Sequence, residues 1–248
     1  MQAFVAVVRP LPARHGLESH FDQPLSRPPG QKTLKVKPVR KTRPDPLAEG
    51  LAHLVRVDPD LAELYQRLGP PPLWPREPGF PTLVHIILEQ QVSLASARAA
   101  FDRLHRAIDP LTPENFLTLT DAELLAIGFS RQKTTYCRYL ATALSRGELD
   151  LHALSRNRDD GAVKQELIKL KGIGHWTADI YLLMALRRRD IWPVGDLALA
   201  VALKEVKRLE KRPRPEEMEL IATPWRPFRA VAARLLWHYY LSTPRRLN

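Results

Sequence analysis

The chain has little cysteine, little glycine and no long apolar run. Of its 248 residues one is Cys (Cys137) and 11 are Gly. A single thiol excludes an internal disulfide framework, a four-cysteine zinc site and a four-cysteine iron–sulfur cluster. No stretch approaches the roughly 18 consecutive apolar residues of a membrane span. The opening MQAFVAVVRP places its first charge after its apolar residues, the reverse of a secretory signal. The eight histidines, at 15, 20, 53, 85, 105, 152, 175 and 238, form no HExxH or other metal-ligand spacing, so no metal and no cofactor are expected. Acidic residues are also short: 27 Asp and Glu against 38 Lys and Arg leave a net charge of +11. The absences predict a soluble, cytoplasmic protein with no membrane partner. The basic surplus predicts a polyanionic one, nucleic acid first.

What is present is unevenly placed. Residues 1–46 hold nine Lys and Arg against three Asp and Glu, together with eight of the 23 prolines. Proline removes backbone donors and disfavours helix in the residue before it, so these 46 residues read as an extended basic arm. Such an arm serves either as a solubilising tail or as a contact for phosphates. The remainder, 47–248, is a single domain whose punctuation is helical. Asp58-Pro59, Pro81, Thr112-Pro113 and Thr120-Asp121 are helix starts, Ser93 and Ser130 are caps, and Gly69 and Gly147 are stops. Further helices are expected over 160–169, 175–187, 196–209, 215–222 and 227–241. No region alternates as a strand would. The expectation is an all-α fold of about ten helices.

One hairpin is different in kind. QELIKLKGIGHWTA places Gly172-Ile173-Gly174 between two helices. Glycine permits a tight, partly left-handed turn, with Ile173 plugging the gap between the helices. The backbone N–H groups of Gly172, Gly174 and the second helix's first turn are then open to an anion, and the helix dipole favours one. The spacing fits a phosphate site that reads no base. It also fits an ordinary helix–helix turn closed by a glycine.

Four stretches in order narrow the choice: FPTLVHIILEQQVSLASARAAFDRL, IGFSRQKTTYCRYLA, LKGIGHWTADIYLLMAL with WPVGDLAL, and PWRPFRAVAARLLW. Together they resemble the helix-hairpin-helix DNA glycosylase superfamily, and within it the alkylpurine branch of 3-methyladenine DNA glycosylase II. The resemblance runs from about Leu47 to Leu241. It implies a two-lobed helical fold with a cleft, acting as a monomer on damaged double-stranded DNA. The implied reaction flips a damaged purine out of the duplex and hydrolyses its N-glycosidic bond. The single cysteine sets the chain apart from the iron–sulfur members.

The resemblance also assigns residues. The catalytic aspartate maps to Asp196, which by position alone is a helix N-cap. A carboxylate near C1′ would stabilise the oxocarbenium-like transition state and orient water. Asp179, in the hairpin's second helix, is a weaker rival. Trp176 stands where strand-nicking members carry a Schiff-base lysine, which implies a monofunctional enzyme. Trp176 also matches an aromatic of the base pocket, where a cationic purine would stack. Ile180 stands where relatives have a second aromatic, with Tyr181 beside it, so Trp74, Phe129 or Trp237 are candidates to supply the stacking face. Gln91 matches the residue that wedges into the gap left by the flipped nucleotide. Lys171, Arg131 and Lys133 join Gly172 and Gly174 as expected phosphate contacts. An alkali cation on the hairpin carbonyls is allowed by the resemblance, without any side-chain signature. Two other readings remain open at this point. One is the same fold acting on deaminated or other altered bases, and the other a DNA-binding module without catalysis.

Overall fold

The computed structural model describes residues 46–244. The basic arm therefore lies outside the described residues, except for Pro46, where the first helix begins. Thirteen α-helices and no strand occur among the described residues. They are α1 (Pro46–Val57), α2 (Pro59–Leu68), α3 (Phe80–Glu89), α4 (Leu94–Ala107), α5 (Pro113–Thr118), α6 (Asp121–Ile127) and α7 (Arg131–Ser145). After these come α8 (Leu151–Arg156), α9 (Asp160–Ile168), α10 (His175–Met184), α11 (Leu197–Val206), α12 (Pro215–Ala222) and α13 (Arg229–Ser242). No helix is long and apolar enough to cross a membrane.

The caps act where the residue types place them. Asp58 accepts the N–H groups of Asp60 and Leu61 at the start of α2, with Pro59 at the first helical position. Ser93, Thr112 and Ser130 each accept an N–H from three residues on. Thr120 and Glu123 form a reciprocal capping box, and Gly128 ends α6 in the left-handed conformation. The all-α expectation holds, but the helices number thirteen rather than about ten. The two with no expected counterpart are α1 and α8. α8 is only six residues long, too short to show a period, and Asp150 caps it. α1 follows proline-rich chain and contains Gly50, which reads as a breaker. In the fold Gly50 serves close approach: a Cβ there would lie 2.6 Å from Val231 Cγ2 of α13.

The helices pack in two groups. One is α3 with α4 and α7, and around them α5 and α6. The other is α1, α2, α11 and α13, with α12 reaching it through the 3-10 turn Thr223–Trp225. Between them the hairpin α9–α10 packs through α10 onto α3. α10 is buried along most of its length, from Trp176 to Met184. The second group is tied by a buried carboxylate: Asp58 accepts from Lys207 at 2.6 and 2.7 Å and from Trp225 Nε1 at 2.7 Å. A charge at such depth persists only when its oxygens are satisfied. This network joins the start of α2 to the end of α11 and to the 3-10 turn.

Candidate active site

The turn 169–174 between α9 and α10 forms one wall of an open groove of about 690 Å³. Its two glycines have different duties. Gly172 has φ +95°, and a Cβ there would stand 2.2 Å from Cγ of Tyr136 on α7. The turn therefore closes directly onto an aromatic ring, which only glycine permits. Gly174 has φ −89° and open space around it. It leaves the first turn of α10 without a side-chain cap, so the N–H groups there are not taken up by a neighbouring side chain. That geometry suits an anion.

A clamp holds the turn. Gln90, buried at the end of α3, donates through Nε2 to the carbonyl of Gly172 at 2.9 Å and to Thr177 Oγ1 at 3.0 Å. The next residue, Gln91, is exposed and has φ +58°, in the left-handed region unusual for a side chain of its length. Gln91 thus projects from a constrained backbone into the groove, which it lines with Lys133, Lys171, Gly172 and Gly174. Lys171 is exposed, with its ammonium 5.2 Å from the ring centre of Tyr139. Lys133 is partly buried and donates to the carbonyl of Leu88 at 2.6 Å, while burial lowers its pKa. Arg131 is exposed at the first turn of α7, beside the groove rather than among its lining residues.

Asp196 stands behind the hairpin. A tight turn bonds its N–H to the carbonyl of Pro193 at 3.1 Å, with Gly195 at φ +86°. The carboxylate is fully buried. Oδ1 accepts the N–H of Leu199 at 2.8 Å, as the cap of α11, and the indole of Trp237 at 3.2 Å. Oδ2 accepts the indole of Trp176 at 2.8 Å. Burial pushes the Asp196 pKa up, while the bond from Trp176, then that from Leu199, then that from Trp237 pull it back. Trp176 lies two residues beyond Gly174, so one indole couples the groove wall to the buried carboxylate.

The remaining residues lie elsewhere. Ile180 and Tyr181 are fully buried on α10, and Tyr181 accepts the N–H of Gly79 at 3.1 Å. Phe129 is buried against Phe116, and Trp74 is half-buried in the loop before α3 with φ +43°. Asp179 pairs with Lys164 at 2.7 Å and thereby pins α10 to α9. Burial first, against the Lys164 charge, pushes its pKa up to about 6. It does not line the groove. Sequence reasoning left Gln90, Thr177 and Tyr136 unassigned and named Trp237 only as one of three alternatives. Their roles depend on partners 82, 87 and 41 residues away for Gln90 with Gly172, Gln90 with Thr177 and Trp237 with Asp196, which no local spacing encodes. Among the described residues no three of His, Cys, Asp and Glu are grouped to hold a metal ion.

The arrangement joins a hairpin with open N–H groups, a protruding polar side chain and a buried carboxylate that accepts from two indoles. Its chain is matched over residues 84–227 by the family model for HhH-GPD superfamily base excision DNA repair proteins. An alkylbase DNA glycosidase-like protein, mag2, of Schizosaccharomyces pombe is 28% identical over 192 residues, covering 75% of this chain and 90% of that protein. A putative DNA-3-methyladenine glycosylase of Bacillus subtilis, YfjP, is 28% identical over 163 residues, covering 62% of this chain and 56% of that one. Among solved structures, the S. pombe 3-methyladenine DNA glycosylase Mag1 in complex with abasic DNA superposes with a TM-score of 0.71 at 25% identity, covering 76% of this chain and 95% of that one. A DNA-3-methyladenine glycosidase of Bacillus halodurans gives a TM-score of 0.65 at 26% identity, covering 80% of this chain and 91% of that one. With more than half of its length matched and the fold shared, the chain belongs to the HhH-GPD superfamily of base excision DNA repair proteins.

Proposed function

We propose that the protein is a monofunctional DNA glycosylase that removes alkylated purines of the 3-methyladenine type from double-stranded DNA. The observation that carries this reading is the Trp176–Asp196 bond, which links the hairpin helix to a buried carboxylate. The relatives named for alkylated-base chemistry support the substrate class.

The chemistry follows from the parts. The first turn of α10 takes a backbone phosphate, with Lys171 and Arg131 adding positive potential. Gln91, fixed by its left-handed backbone, enters the space vacated by the flipped nucleotide. Asp196 has no solvent access, so the sugar reaches it only after the cover opens. Trp176 is the cover nearer the groove, and its displacement frees Oδ2 towards C1′. The C1′–N bond breaks, the purine takes both electrons of the bond, and Asp196 stabilises the positive charge left on the sugar. Water adds to C1′ as its proton passes to the carboxylate. A methylated purine already carries positive charge and departs as a neutral base, so no strong acid need protonate it. An indole nitrogen is a donor only and forms no imine, so Trp176 in the lysine position supports hydrolysis without strand nicking. An alkali cation on the turn carbonyls of Leu170 and Gly172, each with one lone pair spare, would add only potential for phosphate. In this reading the chain acts as a monomer in the cytoplasm.

The test is base release from duplexes each carrying one defined lesion, assayed with and without alkali. The reading predicts release of methylated purine and strand breaks only after alkali. Breaks without alkali would contradict the monofunctional assignment, and binding without release on every duplex would contradict catalysis.

A further inference from the structure

The far end of α10 carries a second feature, unrelated to the groove. Arg234 on α13 is only 6% exposed. Its Nη2 donates to the carbonyl of Leu183 at 3.0 Å, and its Nη1 has no hydrogen-bond partner among the described residues. No described carboxylate pairs with it. The contrast is on the same helix. Arg229, 9% exposed, is paired with Asp190 at 2.8 Å and with Glu219 at 2.7 Å. The fold thus supplies counter-ions to one buried guanidinium and none to the other. A buried cation without a compensating charge is costly, so its retention calls for an anion.

Charged groups near Arg234 are of the same sign. Burial and then Arg187 lower the Arg234 pKa to about 10, so it remains charged at neutral pH. Among the described carboxylates Arg187 itself reaches Glu77, at 4.0 Å on an open surface. Arg188 is engaged by Asp160 at 3.2 Å, and Arg189 rests over the Phe228 ring at 5.5 Å. All four arginines line a cavity of about 390 Å³, within the range of small-molecule sites. The other walls are aliphatic, chiefly Leu47, Leu73, Leu183, Met184 and Val231.

The composition of these walls selects the ligand. Among the described residues no Ser, Thr, Asn, Gln, Asp or Glu lines the cavity, so sugar hydroxyls and base edges would find no side-chain acceptor. Among the described residues no aromatic side chain lines it either, so a nucleobase would find no stacking partner there. What remains is positive charge at one place and aliphatic surface elsewhere. We propose that this cavity between the C-terminal end of α10 and the first turns of α13 binds an aliphatic carboxylate, its head on Arg234 and its chain along Leu73, Leu183 and Val231. Nη1 is unpartnered but has almost no exposed surface, so the carboxylate meets it by parting the cavity wall, where the guanidinium fork matches its oxygens. The site is separated from Gly174 by the length of α10, about 15 Å for ten residues, so its ligand does not occupy the DNA groove. The proposal stands apart from the glycosylase reading, and its test uses no DNA.

The test is thermal unfolding and calorimetric titration of the full chain with decanoate, below its micelle concentration. Acetate supplies the head without the chain, and decyltrimethylammonium the chain with the opposite charge. A saturable rise in melting temperature with decanoate alone is expected, roughly 5–10 °C at a hundredfold excess over Kd. No saturable rise, or an equal rise with decyltrimethylammonium, overturns the proposal. In Arg234→Leu the buried charge is replaced by an aliphatic group, so the unliganded fold should be at least as stable and the decanoate response lost. An unchanged response in that variant also overturns it. Arg234→Lys keeps the charge without the fork and should weaken decanoate binding at least tenfold. Binding undiminished in the lysine variant would contradict the assigned head-group contact.

Discussion

Two indole N–H groups and one backbone N–H point at Asp196, and each favours its ionised form against the burial that opposes it. The resultant lies on the side of burial, so the carboxylate protonates above its ordinary value of 3.8. Since the proposed chemistry needs the ionised form, base release should fall on acidification before an ordinary aspartate would titrate. Trp176→Phe removes one donor to Oδ2 and should move that acid limb to higher pH. The pH profile of kcat/KM, which reports the free enzyme before the indole is displaced, checks both, and an unmoved limb would show that the indole does not support the charge. Asp179 has a structural counterpart of this behaviour. Its folded pKa of about 6 lies above the ordinary value of 3.8, so the folded state holds the proton more tightly. Its contribution to stability is therefore full below about pH 4 and is lost as pH rises through about 6. The stability of the wild type relative to Asp179→Asn should fall by up to about 3 kcal/mol across that window and then level off. Denaturant unfolding of both proteins from pH 4 to 8 measures it.

At the scale of elements, the hairpin separates two glycines that look alike in the sequence. Gly172→Ala must place a methyl on the Tyr136 ring at a left-handed φ, and should cost about 2 kcal/mol or more. Gly174→Ala has room and an ordinary φ, and should leave stability within about 0.5 kcal/mol while setting a methyl at the proposed phosphate site. Unfolding and duplex-binding measurements on the pair distinguish scaffold from contact. Equal stability losses would contradict the difference in duty. Helix starts were legible because a cap is a local event: Asp58, Thr120 and Ser130 each act within three residues of themselves. So was the Gly172–Gly174 turn. What local sequence could not convey is contact between distant residues. Gln90 reads as one of two glutamines, and only the fold brings it to Gly172. Lys133 reads as a phosphate contact at a helix start, and only the fold gives it the Leu88 carbonyl. Ile180 and Tyr181 follow Trp176 at pocket spacing, yet α10 is buried around most of its circumference and takes both into the core.

At the scale of the whole molecule, the net charge of +11 is divided between the first 46 residues and the helical body. The anion site proposed on the hairpin needs no side-chain charge, which would leave much of the lysine and arginine surplus to serve non-specific attraction. Replacing the six Lys and Arg of 31–43 by Gln should weaken duplex affinity and flatten its salt dependence, with excision under saturating enzyme unchanged. A titration of binding against salt concentration measures this, and an unaltered slope would make the arm a tail without phosphate contacts. The central claim rests on one carboxylate behind the hairpin. Single-turnover release of methylated purine from alkylated duplex DNA by Asp196→Asn, with duplex affinity measured alongside, tests it most directly. A loss on the order of 10²–10³-fold in rate with DNA binding retained is expected. Release at the wild-type rate would contradict it.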